Sequence, residues 1–583
     1  MNNHFNQRSG GFGGNRHGNG SGGMKRKTVR NVTATAPYNF IPFNRNLKVP
    51  GPASDTEKLY SGKIICTLEA ITPLFIGGHG QKQSQAKDLG QVEKEFLKIG
   101  GKYTIPGSSV KGMLRSLVEM ISCSQLTQLT DKRIAYRRVG QPNTGSYKSQ
   151  FVNLRPEETG IDGEPIGGGY LVKRGADYYF KPCDVYICNI GTIPYEKDDV
   201  IQTGHMDGKK VEYHFDKSSL GEGIKLKYEV VTDFLAQMDN SKYQTDKWER
   251  EKSKLSGDGV PLFCIEDPKD PDNILSIGFA RYFRIPYTYS PKDLAKSRVR
   301  LANDFCTNLF GYVSDDGKDA LKGRVGIGSF PIEGEPDRAY KLILQEPHPS
   351  SIRHYLKQKI GEIVKKPKDD DSFMDYNSSS SELAGRKYYW HRTLDDGADA
   401  LKASNGNEKI ISVIRPIKAG AKAEFAIHVD RLTETELGAI FEALELPQKE
   451  GNHHYHKLGG AKPYGFGTVK ISVKSALVQE VKERYASLKS RLDGSDRTHQ
   501  MDVQTRQSFK EKFEKYIVEQ TGVMKYSSLL FVSALEAMTS WELRPENRKT
   551  AYMALKGKDP NGPANFDDKA LLPPAALLNT YSK

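Results

Sequence analysis

The sequence predicts an α+β fold: a ferredoxin-like (RRM-like) β-α-β-β-α-β core that carries large insertions and is followed by a helical C-terminal region. Three observations predict it. Lys63 to Ile71 (KIICTLEAI) and Lys422 to Val429 (KAEFAIHV) alternate apolar and polar side chains, the period of a strand with one buried face. Ile105 to Ile121 and the segment TETELGAIFEALEL repeat apolar residues at helical spacing. The order is β-α near the start and β-α-loop-β near the end, so one further strand between them, Arg324 to Phe330, completes the pattern.

Residues 1–57 are rich in Gly, Asn and Arg and too poor in apolar side chains to offset chain entropy, so they read as a disordered basic tail. The core spans 58–475, with insertions at about 125–270 and 335–405, and residues 476–583 form the helical C-terminal region. In the first strand Ile64, Cys66, Leu68 and Ala70 point inward. The helix after it, IPGSSVKGMLRSLVEMI, has Ser108 as its N-cap and one stripe of Val110, Met113, Leu114, Leu117, Val118 and Ile121. Lys111 and Arg115 lie one turn apart beside that stripe. With the helix N-terminus they could hold a phosphate, or they could simply snorkel at the packing edge.

The insertion is turn-rich. Gly169 to Phe180 and Gly278 to Tyr287 read as strands, Asp239 to Gly259 as a loop or exposed helix, and a second, degenerate unit of the same kind fits within 125–300. A helix ends at Phe310-Gly311. Lys365 to Leu383 is of low complexity and reads as a surface loop. The later helix begins with a capping box, Thr433 and Glu436, and buries Leu437, Ile440, Phe441 and Leu444. A polar loop with His453, His454 and His456 leads to the glycine-rich run Gly459 to Gly467, which feeds a strand alternating Val469, Ile471 and Val473.

Several classes are excluded. No stretch reaches the roughly 18 apolar residues of a membrane span, and the first twenty residues lack the apolar core of a secretory signal. A cytoplasmic protein without a membrane partner is expected. The six cysteines are scattered; Cys183 and Cys188 are close, but no second pair completes a zinc quartet, so reduced thiols are expected. The net charge is +14, and eight of those charges precede the first acid, Asp55. The body is mildly basic and the tail strongly so, which suits a polyanion partner.

A glycine-rich loop can bring backbone N–H groups up to a phosphate because no Cβ blocks the approach. Neither common nucleotide fingerprint fits. Both run strand-loop-helix, whereas this loop runs into a strand and Lys462 is followed by Pro463 rather than Ser or Thr.

The combination of motifs is more specific. TPLFIGG follows the first strand and IPGSSVKGMLRS opens the first helix. LFGYVSDDG and GRVGIGSF follow in the middle, then GRKYYWH, then LGGAKPYGFGTVKI. In that order they resemble the RAMP superfamily of CRISPR-associated proteins, and within it the long, insertion-bearing backbone subunits of type III effector complexes. The motifs cover about 60–120, 278–330 and 385–475.

The resemblance implies a subunit that binds guide RNA (crRNA), meets target RNA and assembles with other effector subunits. The residues that match are Ser108, Lys111, Arg115, Gly459, Gly460, Lys462, Tyr464, Gly465 and Gly467: cations for phosphates, loop amides, and Tyr464 or Phe466 for stacking. It implies no cofactor for binding. Related subunits cut target RNA with an aspartate in the loop after the first strand; Asp88, with Glu93 and Glu95 nearby, is the candidate here, and Mg²⁺ would be needed for that cut. The spacing of Asp88 to IPGSS departs from the family pattern. Two other readings stay open: a metal-independent guide-processing endoribonuclease using His79, His453, His454 or His456, and a general RNA-binding module outside CRISPR.

Overall fold

The computed structural model of the 583-residue chain describes residues 33–43, 58–78, 93–126, 129–137, 147, 149–151, 166–189, 200–201, 210–238, 242–295, 304–314, 317–344, 351–365, 372–395, 411–485, 500–552 and 569–574. The protein is mixed α and β. Its central sheet and helices are β1 (Tyr60–Ala70), α1 (Gly107–Ile121), β2 (Val325–Ile327), β3 (Lys422–Leu432), α2 (Glu434–Leu444), β4 (His456–Lys457), β5 (Thr468–Glu480), α3 (Val503–Thr521) and α4 (Leu530–Thr539). The strands lie in the order β2-β3-β1-β5-β4, and every neighbouring pair is antiparallel.

The alternation in the sequence sets the faces. Ile64, Cys66, Leu68 and Ala70 are buried while Lys63 and Thr67 are exposed, and Cys66 sits in register with Phe425 on one side and Val473 on the other. Leu114, Leu117, Leu437, Ile440 and Phe441 from α1 and α2 complete the core on this face. The opposite face carries Glu424, His428, Lys470 and Lys474 in solvent. It has no paired aromatics of the kind that RRM sheets use for stacking.

The α1 stripe is as expected, with Met113 only partly buried, but its cap is not Ser108. Pro106 occupies the extended N-cap position, so Ser108 lies inside the first turn with its side chain in solvent. At α2 both halves of the Thr433–Glu436 capping box form. α3 crosses α2 so closely that a Cβ on Gly438 would lie 2.0 Å from the Phe509 carbonyl oxygen.

The insertion forms its own sheet, in the order Ile224–Lys225, Asp177–Pro182, Gly168–Arg174, Val260–Asp267, Asp270–Gly278. Helix Tyr228–Met238 packs Phe234 against Leu171, Phe180 and Leu262. Among the described residues this sheet is built from two hairpins with two consecutive helices, Tyr228–Met238 and Lys242–Glu251, between them, rather than as a second β-α-β-β-α-β unit. Of the strand expected at 278–287 only Ile285–Pro286 forms, paired with Ala135–Tyr136, while the longer strand lies earlier and ends at Gly278, where the chain turns back so tightly that Phe283 fills the space of a Cβ.

Two expectations are corrected. Of the predicted tail, 1–32 and 44–57 lie outside the described residues, but Tyr38–Ile41 is a strand paired with Arg386–Tyr389. Its aromatics are the reason: Tyr38 and Phe40 are buried against Tyr355, and the Asn39 amide donates to Leu572 O at 2.8 Å. In the stretch read as a surface loop, Phe373 and Tyr376 are buried; apolar residues inside a polar run found cores of their own.

Candidate functional site

The glycine loop closes on itself between β4 and β5, with the Leu458 N–H donating to Gly467 O at 2.8 Å. Its amides are used inside the protein. Gly460 N–H donates to Phe75 O (2.7 Å), Gly467 N–H to Pro73 O (2.9 Å) and Gly465 N–H to Lys462 O (3.1 Å). This corrects the expectation that these three amides face a phosphate. The glycines instead permit the loop's shape. Gly459, Gly465 and Gly467 have φ of +81°, +91° and +74°, and a Cβ on Gly467 would sit 1.9 Å from Leu458 O. Phe466 is a core residue, edge-on to Tyr340 at 5.1 Å. Tyr464 is half-buried and donates its hydroxyl to Ile343 O at 3.3 Å.

Cations gather behind this loop. Lys462 is half-buried, and burial lowers its pKa. Lys457 is 4% exposed and donates to Thr468 Oγ1 at 3.1 Å. It meets no carboxylate among the described residues; burial holds its ammonium well below the usual lysine range, and the charges of Lys462 and Arg392 push it further down. Arg392 is also buried. It donates to Pro463 O and to Asn547 O (3.2 Å), its Nε has no hydrogen-bond partner, and Asp395 lies 3.9 Å away.

A polar chain holds these groups to the loop. His391 is fully buried, with Nε2 3.0 Å from Tyr455 O and Nδ1 3.0 Å from Thr468 Oγ1. The carbonyl can only accept, so Nε2 carries the hydrogen, Nδ1 accepts from the Thr468 hydroxyl, and Thr468 accepts from Lys457. Burial, with the Lys457 charge next, keeps His391 neutral. Thr72 at the end of β1 donates to Gly465 O (2.8 Å) and accepts from Thr468 N–H (3.0 Å). Charge of one sign with little counter-charge is what an anionic ligand would complete. Of these residues only Lys462 was singled out by sequence. Lys457 and Arg392 could have been noted as the cations flanking GRKYYWH and the loop, but their burial is tertiary.

The structure places the start of α1 at the other edge of the sheet, level with Ile64 in mid-β1, whereas the glycine loop lies where β1 finishes. Gly107 packs on Ile327 O beside β2, whereas the loop borders β4. Lys111 makes no hydrogen bond or ion pair among the described residues, while Arg115 is committed to Glu119 and Gly311 O, both at 3.3 Å.

Asp88 and His79 lie outside the described residues. Glu93 pairs with Arg415 and Glu95 with Lys98, and no group of three potential metal ligands forms among the described residues; the residues in view do not fit a Mg²⁺ site. His454 and His456 are buried rather than in a hydrophilic loop, bonded to Thr539 (2.9 Å) and Ala443 O (2.9 Å), and burial pushes His456 down to about 4. His453 is exposed and held 2.7 Å from Glu542. Among the described residues no helix is long and apolar enough to cross a membrane.

The segment that runs from within β1 through α1 into the insertion carries a family match. Residues 67–174 match the model of the RAMP superfamily. The RAMP segment thus contains Lys111 and Arg115 and ends before the glycine loop. No curated protein matches the chain. Two solved structures are similar at low identity. One is a cryo-EM structure of the type III-B Cmr-beta bound to cognate target RNA, at 11% identity over 71% of this chain and 97% of that chain, with a TM-score of 0.18. The other is the Cmr-beta apo state, at 12% identity over 70% and 96%, with a TM-score of 0.17.

Proposed function

We propose that this chain is a cytoplasmic crRNA-binding subunit of a type III-like antiviral effector complex, with crRNA, target RNA and other effector subunits as partners. The observation that carries the reading is the under-compensated cluster of buried Lys457 and Arg392 with half-buried Lys462, pressed against the glycine loop. Burying such charge is costly unless a partner supplies the opposite sign, and a sugar-phosphate backbone does so without reading sequence. The RAMP match at 67–174 and the ordered motifs support the same reading.

The central sheet supports a ferredoxin-like core within 58–475: leaving aside the two-residue β4, the chain order is β1-α1-β2-β3-α2-β5 and these four strands lie in the order β2-β3-β1-β5. The C-terminal helices 476–583 extend it. We assign any cutting of bound RNA to Asp88; Asp88→Ala is expected to remove cutting and leave binding.

The test is to purify the protein with its native neighbours and sequence the nucleic acid that travels with it. Short RNAs of uniform length with CRISPR repeat ends are expected. Mixed cellular RNA, or none, would overturn the assignment.

A further inference from the structure

The cationic cluster continues into the C-terminal region, where no sequence motif pointed. The segment after α4 returns to the loop that carries the histidines: Trp541 N–H donates to His453 O at 2.8 Å and Tyr455 N–H to Thr539 O at 3.0 Å. Trp541 becomes the hub of an aromatic group. Tyr455 meets it edge-on at 6.0 Å, His391 lies 6.2 Å away, and the Arg544 guanidinium lies 4.0 Å over its ring. The contact to His391 connects this group, through Thr468, to Lys457.

Arg544 has an unusual position. It is half-buried, and among the described residues it makes no ion pair. The acid beside it in sequence, Glu542, is taken by His453, which binds it through both its ring and its backbone N–H. The guanidinium lies over the indole, and its Nη1 donates to Trp541 O. A planar cation held over an aromatic ring, with no carboxylate in ion-pair contact among the described residues, suits a second planar π system. Nucleobases in single strands stack on such guanidinium planes.

We propose that Arg544, backed by Trp541, is a nucleobase-stacking subsite that holds one base of a single-stranded RNA whose backbone lies on the Lys457–Lys462–Arg392 cluster. This rests on the RNA-binding reading above. It gives the C-terminal segment a part in ligand binding and divides the labour: the cluster takes phosphate, and Arg544 takes a base of any identity.

The test uses the full chain freed of co-purifying nucleic acid and two single-stranded RNAs of one length, one intact and one abasic throughout. Tryptophan emission and affinity are read together. Of the three tryptophans, Trp390 is fully buried and Trp248 is half-buried against the insertion's core, so the Trp541→Phe variant assigns the quench. Intact RNA should quench emission and abasic RNA should not. Trp541→Phe should remove the quench. Arg544→Lys, which keeps the charge and loses the plane, should bind intact RNA roughly tenfold more weakly and abasic RNA unchanged. Intact RNA that binds without quenching, with equal affinity for wild type and Arg544→Lys, overturns the stacking subsite alone. Failure of the wild-type chain to bind either RNA overturns the RNA reading and the subsite with it.

Discussion

Gly467 and Gly451 share a left-handed backbone, with φ of +74° and +72°, yet their surroundings differ. A Cβ on Gly451 meets nothing within 4 Å, whereas one on Gly467 strikes Leu458 O. Gly451→Ala should therefore cost about 1–2 kcal/mol, the strain of the left-handed region alone. Gly467→Ala should cost at least about 3 kcal/mol, because the carbonyl it strikes belongs to Leu458, whose N–H is tied to Gly467 O by the loop's closing hydrogen bond. Urea-unfolding midpoints of the two variants check this; equal losses would mean the loop yields. Both glycines look alike in sequence. What distinguishes them is the approach of a distant carbonyl, which no local pattern encodes. The same holds for Phe466: a ring between two glycines reads equally well as a stacking platform or a core residue, and only Tyr340 decides it.

Among elements, the legible ones are those whose pattern is local. The α1 stripe, the capping box of α2 and the β1 and β3 alternations all follow from period and cap chemistry, and the structure contains each. What could not be read is how the short edge strand β2 is held. Arg324, just before it, forms an ion pair with Glu436, and Asn308 donates to the same carboxylate at 3.0 Å. Glu436 also accepts from Thr433 N–H, so the capping residue doubles as the anchor of an edge strand more than a hundred residues away. The carboxylate is buried. Arg324→Met should cost about 3–5 kcal/mol by leaving that charge without its cation. Adding Glu436→Gln should recover much of the loss, since the amide can still accept from Thr433. A double-mutant cycle in chemical unfolding reads the coupling; additive losses would show that Arg324 contributes packing alone.

At the scale of the molecule, the charge was legible as a total and not as a distribution. The sequence shows a basic tail and a mildly basic body. The structure shows that within that body Lys457 is placed where an ammonium is costly and no carboxylate answers it. Such a residue sets stability against binding. Lys457→Met keeps the length and apolar stem and removes the charge. It should raise the free chain's unfolding free energy by about 1 kcal/mol or more, because a desolvated cation is relieved. It should also weaken single-stranded RNA binding and reduce the slope of log affinity against log salt by about 0.7, the share of one phosphate contact. Lys111→Gln, at the far edge of the sheet, should reduce the slope similarly without the gain in stability, since Lys111 is only half-buried. Thermal unfolding and binding at several salt concentrations separate the two. A more stable Lys457→Met protein with an unchanged salt slope would show that Lys457 is a neutral amine serving Thr468 and His391, and would move the phosphate contact outward to Lys462.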